Sequence, residues 1–183
     1  MPNPLITIGE NINATRKIRV DSPRVITDGD KKGLYYIAIS GEKCFYDLTQ
    51  TIASDVVQQS GQIPYISEAI LRGDSQFLLS LAKEQLDNGA DIIDLCVDEV
   101  SPYPEKRLDY MKWLVKVMQD NLPARYCLDS SDPDTLEAGI SVYDNSKGKA
   151  VLNSTNLEEN RQKVIDLARE TQSQIIANAS GAE

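Results

Sequence analysis

Five short apolar segments recur along the chain, and each carries Asp or Asn near its carboxyl end: "LITIGENIN", "ADIIDLCVD", "RYCLDS", "KAVLNS" and "SQIIANAS". Helical patterns separate them, and this alternation restricts the fold more than any other feature. Strand–helix–strand repeats fold as βαβ units, with parallel strands joined by right-handed crossovers. The second segment is an almost unbroken apolar run, as expected of a strand buried on both faces. In "DSQFLLSLAKEQLDNG", Leu78, Leu81, Ala82 and Leu86 recur at helical spacing, and Asn88-Gly89 supplies a stop. Leu108, Met111, Val115, Met118 and Leu122 form one stripe in the next helix, which Pro123 ends. After the fourth strand, Asn156 and Glu159 stand at capping-box spacing ahead of a further helix. The expected class is α/β with a parallel sheet, in one domain over residues 1–183.

Residues 17–65 break the period. They form an insertion between the first strand and the first regular helix, in which "RVITDGDKKGLYYIAIS" reads as strand, turn at Asp28-Gly29, and strand. A surface hairpin is the plain expectation. A lid over the site is the functional one, because the insertion follows the carboxyl end of a strand.

The polar strand ends are Glu10, Asn11 and Asn13, then Asp94 and Asp98, then Asp129, Asn153 and Asn178. Barrels and open α/β sheets alike gather such ends on one edge and build sites there. Any one of these residues has a plain alternative as a helix cap. Asp129 resists it: Ser131 or Asp132 is better placed to cap a helix whose first residue is Pro133, since Pro favours that position. Asn153 is similar, with Thr155 and Asn156 closer to the next helix. Carboxylates accept from N–H and NH2 groups while Asn donates and accepts on one edge. Such a ring suits a polar, nearly neutral heterocycle such as a pterin or a purine. A hard metal ion such as Mg²⁺ is the competing ligand for the same oxygens.

The chain of 183 residues contains no histidine. That removes the commonest general base, the Ser-His and Cys-His nucleophile pairs and most zinc sites. A formal charge of -9 makes nucleic acid or an anionic membrane a poor partner. No apolar run approaches the ~20 residues that span a bilayer, and no signal peptide is expected at the amino terminus. Cys44, Cys96 and Cys127 are odd in number and widely spaced, which fits reduced thiols in a cytoplasm.

Taken in order, "IGENIN", "NGADIIDL", "YCLDSSDPDTLEAGI" and "VLNSTN" resemble the successive strand motifs of the pterin-binding family. That family comprises methyltetrahydrofolate:corrinoid methyltransferases, the folate module of cobalamin-dependent methionine synthase, and dihydropteroate synthases. The methyltransferase branch is the better match. Its third-strand pattern L-D-S-[ST]-N followed by E-A-G is met by Leu128-Asp129-Ser130-Ser131 and Glu137-Ala138-Gly139, with Asp132 in place of Asn. Its fourth-strand N-S is met by Asn153-Ser154. The synthase signature G-G-E-S-T-R-P is not met by "DLCVDEVSPYPEKR".

The resemblance covers roughly residues 5–13 and 75–180 and implies a pterin at the mouth of a (β/α)8 TIM barrel. The chain would hold about the first five β/α units of that barrel. Asp129 and Asn153 match residues that hydrogen-bond the pterin ring. Asn13 falls on the Asn of the family's G-E-R-x-N motif, Asp94 on its second-strand Asp, and Asn11 where the motif has Arg. With Asn178, these are the candidate cofactor-binding residues; none is assigned to catalysis or to metal. The implied reaction passes the N5-methyl group of methyltetrahydrofolate to a corrinoid (cobalamin) cofactor. A chain without His cannot carry the corrinoid motif D-x-H-x-x-G, so a partner corrinoid protein is expected to supply it. The family's sixth-strand Asp and later-strand Asn have no counterpart before Glu183. The expectation is therefore a fragment inactive alone, either homo-oligomeric or lacking a C-terminal half. The alternatives are a non-catalytic pterin-binding half needing a second polypeptide, and a dihydropteroate synthase-like enzyme.

Overall fold

A computed structural model describes residues 5–156, 158 and 161–179. Strand β1 (Ile8–Asn13) leads into β2 (Ile18–Arg19), β3 (Ile26–Asp28), β4 (Lys31–Ile37), β5 (Lys43–Asp47), α1 (Thr49–Ala53), α2 (Asp55–Ser60) and β6 (Gln62–Ile63). Two consecutive helices follow, α3 (Tyr65–Arg72) and α4 (Ser75–Asp87). The strand–helix period then runs through β7 (Ile92–Cys96), α5 (Pro104–Asn121), β8 (Arg125–Asp129), α6 (Pro133–Ile140), β9 (Val151–Thr155), α7 (Gln162–Thr171) and β10 (Gln174–Ala177).

The five strands expected from the sequence form one parallel sheet in the order β1-β7-β8-β9-β10. Each new strand adds on the same side of the last. That order lacks the reversal of a doubly wound sheet. The protein is thus α/β with a five-stranded parallel sheet and flanking helices.

Alternation along each strand divides the sheet into two faces. Ile12, Ile93, Leu95, Tyr126, Leu128 and Leu152 pack under the helices, against Leu78, Ala82, Met111, Leu114, Val115 and Met118, in the main core. On the opposite face, Ile92, Cys127 and Val151 form a smaller cluster with Ile8 and Ile176. Two residues further along their strands, on that same face, come Asp94, Asp129 and Asn153. On each of these strands an apolar residue therefore lies beneath a polar one.

Gly139 shows why the E-A-G motif ends as it does. A Cβ at this position would lie 2.8 Å from Met111 Cγ and 2.9 Å from Leu128 Cδ1, both side chains fully buried. Glycine lets α6 approach α5 and β8 closely. Gly139→Ala should therefore destabilise by about 1–3 kcal/mol through overpacking. Against this stands a gain of about 0.8–1 kcal/mol in helix propensity, so the net change should remain a loss, read as a lower urea midpoint. An unchanged or higher midpoint would show that Met111 and Leu128 move aside freely.

The inserted residues hold more structure than a hairpin. β3, β4 and β5 form an antiparallel meander, with Gly29 at φ 62° in its first turn, while β2 and β6 pair across the base of the insertion. The meander is anchored on α4: Phe77 stacks on Tyr46 at 4.2 Å between ring centroids and meets Tyr36 and Tyr65 edge-on. This anchor sits on the flank of the parallel sheet.

One local expectation needs correction. The helix after β9 begins at Gln162, preceded by Arg161, with no side-chain cap. Asn156 Oδ1 instead accepts from Glu158 N at 3.0 Å, closing a local turn that satisfies it short of the helix. Glu159 lies outside the described residues. Among the described residues no helix is long and apolar enough to cross a membrane.

Candidate functional site

Strand register determines which polar ends meet. Asn13 pairs with Cys96, Cys96 with Asp129, and Asp129 with Asn153, so these four residues stand side by side across β1, β7, β8 and β9. Asp94 lies one layer deeper, level with Cys127 and Val151 of the apolar cluster.

Local turns orient the members of this row. Asn13 Oδ1 accepts from Thr15 N at 3.0 Å and from Thr15 Oγ1 at 2.7 Å. That leaves its Nδ2 to donate to Asp129 Oδ2 at 3.4 Å. Asp129 is free to face this way because Asp132 caps α6, accepting from Asp134 N at 3.1 Å and from Thr135 Oγ1 at 2.9 Å. Asp98 has another task. Ser130 Oγ donates to its Oδ1 at 2.5 Å and Ser131 N to its Oδ2 at 2.7 Å, so its carboxylate pins the loop that follows Asp129.

The electrostatics follow from burial among like charges. Asp94 is 2% exposed, and its Oδ1 has no hydrogen-bond partner among the described residues. Burial, then the negative charges of Asp129 and Glu10, push its pKa up to about 7, against a smaller opposing pull from Cys127 and Asn153. Burial also raises Asp129. The Cys96 thiol opposes the shift, Asp98 and Glu10 add to it, and Arg161 favours the ionised form. Burial pushes both thiols well above their ordinary value, so Cys96 and Cys127 are neutral at physiological pH.

Of the six candidate residues, the fold brings four together: Asn13, Asp94, Asp129 and Asn153. Asn11 is set apart by the irregular register of β1 between Gly9 and Ile12, and its backbone N–H donates to Gln85 Oε1 at 2.8 Å. Asn178 is exposed just past β10, donating from Nδ2 to Ser154 Oγ at 2.8 Å. Cys96 and Cys127 were readable as small core residues, but counting by two from Asp94 and Asp129 puts both on the polar face. Arg161 carried no periodic signal, because it enters from a loop.

A cavity of about 620 Å³ lies elsewhere, between the meander and α4, lined by residues such as Tyr35, Tyr36, Phe77 and Lys83. The strand ends are nonetheless the stronger site, because perturbed carboxylates converge there with amides. Among the described residues no group of three or more Asp, Glu or Cys side chains is arranged to hold a metal ion. What the row offers is carboxylate acceptors beside amides that donate and accept, matched to a heterocycle edge bearing N–H, NH2 and C=O groups.

Comparison with known proteins agrees with this chemistry. The chain is 32% identical over 106 residues to a methylcorrinoid:tetrahydrofolate methyltransferase of Eubacterium limosum, covering 58% of this chain and 37% of that protein. It is 33% identical over 92 residues to a methionine synthase of Mycobacterium tuberculosis and 34% over 92 to that of Mycobacterium leprae, half of this chain and 7% of each relative. It thus spans well under half the length of these relatives. The family model for pterin-binding enzymes matches residues 65–183, which include Asp94, Asp129 and Asn153. The chain belongs to the pterin-binding enzyme family.

Proposed function

We propose that the chain binds the pterin ring of methyltetrahydrofolate and serves methyl transfer between its N5 and a corrinoid carried by a partner protein. The observation that carries this reading is the row Asn13–Cys96–Asp129–Asn153 with the deeper Asp94 beneath it. In this reading Asp129, Asn153 and Asn13 take the polar edge of the ring. When bound, the corrinoid supplies the cobalt centre that accepts or gives up the methyl group. Cleaving the N5–CH3 bond leaves an electron pair on N5, and a bare amide anion leaves poorly, so a proton or hydrogen bond at N5 is needed. Asp94 is suited to hold a proton near neutral pH. The name of the Eubacterium relative describes transfer toward tetrahydrofolate; one site serves both directions, because forward and reverse reactions share a transition state. A partial TIM barrel and a cytoplasmic setting belong to the same proposal, the latter consistent with three free thiols.

Calorimetric titration with methyltetrahydrofolate tests the binding, and the corrinoid spectrum after mixing with methylated corrinoid protein and tetrahydrofolate tests the transfer. Saturable binding is expected of this chain, and a complete enzyme containing it should give a spectral change that survives EDTA. Binding without any spectral change would leave a pterin-binding module. Loss of turnover on chelation, restored by Mg²⁺, would favour a metal at the carboxylates instead.

A further inference from the structure

Strand β4 outruns its neighbour in the meander. The β3–β4 ladder stops at the pair Ile26–Gly33, whereas β4 and β5 stay paired as far as Ile37–Lys43. Continued two residues further, β3 would set Arg24 opposite Tyr35. The chain turns around Pro23 instead: Ser22 N donates to the Arg19 carbonyl at 3.0 Å and Val25 N to the Ser22 carbonyl at 2.9 Å. One edge of β4 is therefore open over residues 34–37. The cavity of about 620 Å³ between the meander and α4 runs along that edge. Residues 34–38 all line it, whereas a strand turning one face to a cavity contributes alternate residues only.

The phase of the ladder identifies the unused groups. Ala38 N donates to the Glu42 carbonyl and Leu48 N to the Lys32 carbonyl, both at 2.8 Å. Even-numbered residues of β4 thus direct their main-chain groups to β5, and odd-numbered ones direct theirs to the other edge. Gly33 uses its groups on Ile26. Tyr35 and Ile37 come next, and among the described residues nothing pairs with their N–H and C=O groups. Their side chains are 43% and 58% exposed. Across the cavity, Phe77 and Leu81 of α4 supply an apolar wall. The charged lining leans cationic. Lys83 and Asp87 pair with each other at 2.8 Å, which leaves Glu84 against Arg16 and Arg24. Arg16 uses its Nε on the Glu10 carbonyl at 2.6 Å, and no described hydrogen bond or ion pair engages the Arg24 side chain.

We propose that the open edge of β4 takes an extended segment of a partner protein by strand addition, a segment with apolar side chains at alternate positions and acidic ones between. In this mode main-chain bonds, here to Tyr35 and Ile37, give affinity, and contacts to alternate side chains give specificity. The wall of Phe77 and Leu81 favours apolar side chains, and the two guanidiniums favour carboxylates. Exposed edges are ordinarily guarded by Lys, Pro or a bulge. Residues 34–38 hold neither Lys nor Pro, and the β4–β5 register is regular throughout. Charge decides against a second copy of this chain as the occupant. Paired through the same edge, it would bring its own Arg16 and Arg24 to the cations already there, on two chains of formal charge -9 each. The surface lies apart from the strand-end row, so neither reading depends on the other.

Fluorescence anisotropy tests the proposal on the whole chain, with a labelled peptide of alternating glutamate and valine. Saturable binding is expected. It should be lost when the peptide amides are N-methylated, which removes their donors, and weakened about tenfold when lysine replaces glutamate. Arg24→Glu should also weaken binding about tenfold and leave the urea midpoint in place, since that side chain is exposed and makes no described bond. Ile37→Pro removes an N–H from the open edge only and should weaken binding further. Absence of binding to the wild type, equal affinity for the lysine or the N-methylated peptide, or unchanged affinity in Arg24→Glu would each overturn the proposal. A concentration-dependent dimer in sedimentation, abolished by Ile37→Pro and unaccompanied by peptide binding, would overturn it in favour of a second copy.

Discussion

Asp129→Ala should weaken methyltetrahydrofolate binding by about 1.5–3 kcal/mol, the range for losing a charged hydrogen-bond partner. That is roughly 10- to 150-fold in Kd. The fold should survive, because Asp129 does not cap α6: Asp132 makes the bonds to Asp134 N and Thr135 Oγ1. The described side-chain contacts that disappear are the 3.4 Å bond from Asn13 Nδ2, a long one, and that with the neutral Cys96 thiol. Removing the carboxylate also removes a negative charge that holds Asp94 above its ordinary range. The variant should therefore bind ligand less well while its Asp94 ionises at lower pH. Asp129→Asn separates the two roles, keeping the shape and one acceptor while removing the charge. Unchanged affinity in Asp129→Ala, measured by titration against a wild type that binds, would reduce Asp129 to a bystander in the row.

The frame of the protein was legible because it repeats. All five strands of the parallel sheet and the stripes on α4 and α5 follow from apolar spacing, which depends on burial alone. The freedom of Asp129 was also legible, through a negative argument: Pro133 sets the helix start and Asp132 takes the cap, so Asp129 is left over. What escaped depends on register or on loops. The depth of Asp94 arises from its register with Cys127 and Val151, which no single strand encodes. The diversion of Asn11 arises from an irregularity in β1 that its sequence does not announce. β2 and β6 are two residues each, too short to carry a period, and β5 was hidden in a stretch read only as part of an insertion. Arg107, near the start of α5, and Arg161, just before α7, carry no periodic signal, and both reach the segment after β8.

Asp94→Asn should stabilise the protein at pH 8 by several kcal/mol and remove much of its loss of stability between pH 4 and pH 7. The sign follows from proton binding. The folded-state pKa of Asp94 is about 7, against an ordinary 3.8. Between those values the native state binds a proton that the unfolded chain has released, so stability falls as pH rises. Below about pH 4 both states are protonated and the contribution is fully present. Above about pH 7 it is gone, and the folded protein carries an ionised carboxylate that is 2% exposed. A shift of this size corresponds to about 4 kcal/mol, at 1.36 kcal/mol per unit. Because Asp94 titrates in the field of Asp129 and Glu10, the loss will spread over a wider interval than one group would give. Asn keeps the shape and cannot ionise. Urea midpoints for wild type and variant should therefore nearly coincide at pH 4 and diverge toward pH 8, with the variant higher. Parallel curves across that range would mean that the carboxylate finds compensation in solution. A carboxylate buried at such a cost to stability points to a use at the site. If that use is to hold a proton for N5, Asp94→Asn in a complete enzyme should leave methyltetrahydrofolate binding in place and abolish transfer of its methyl group.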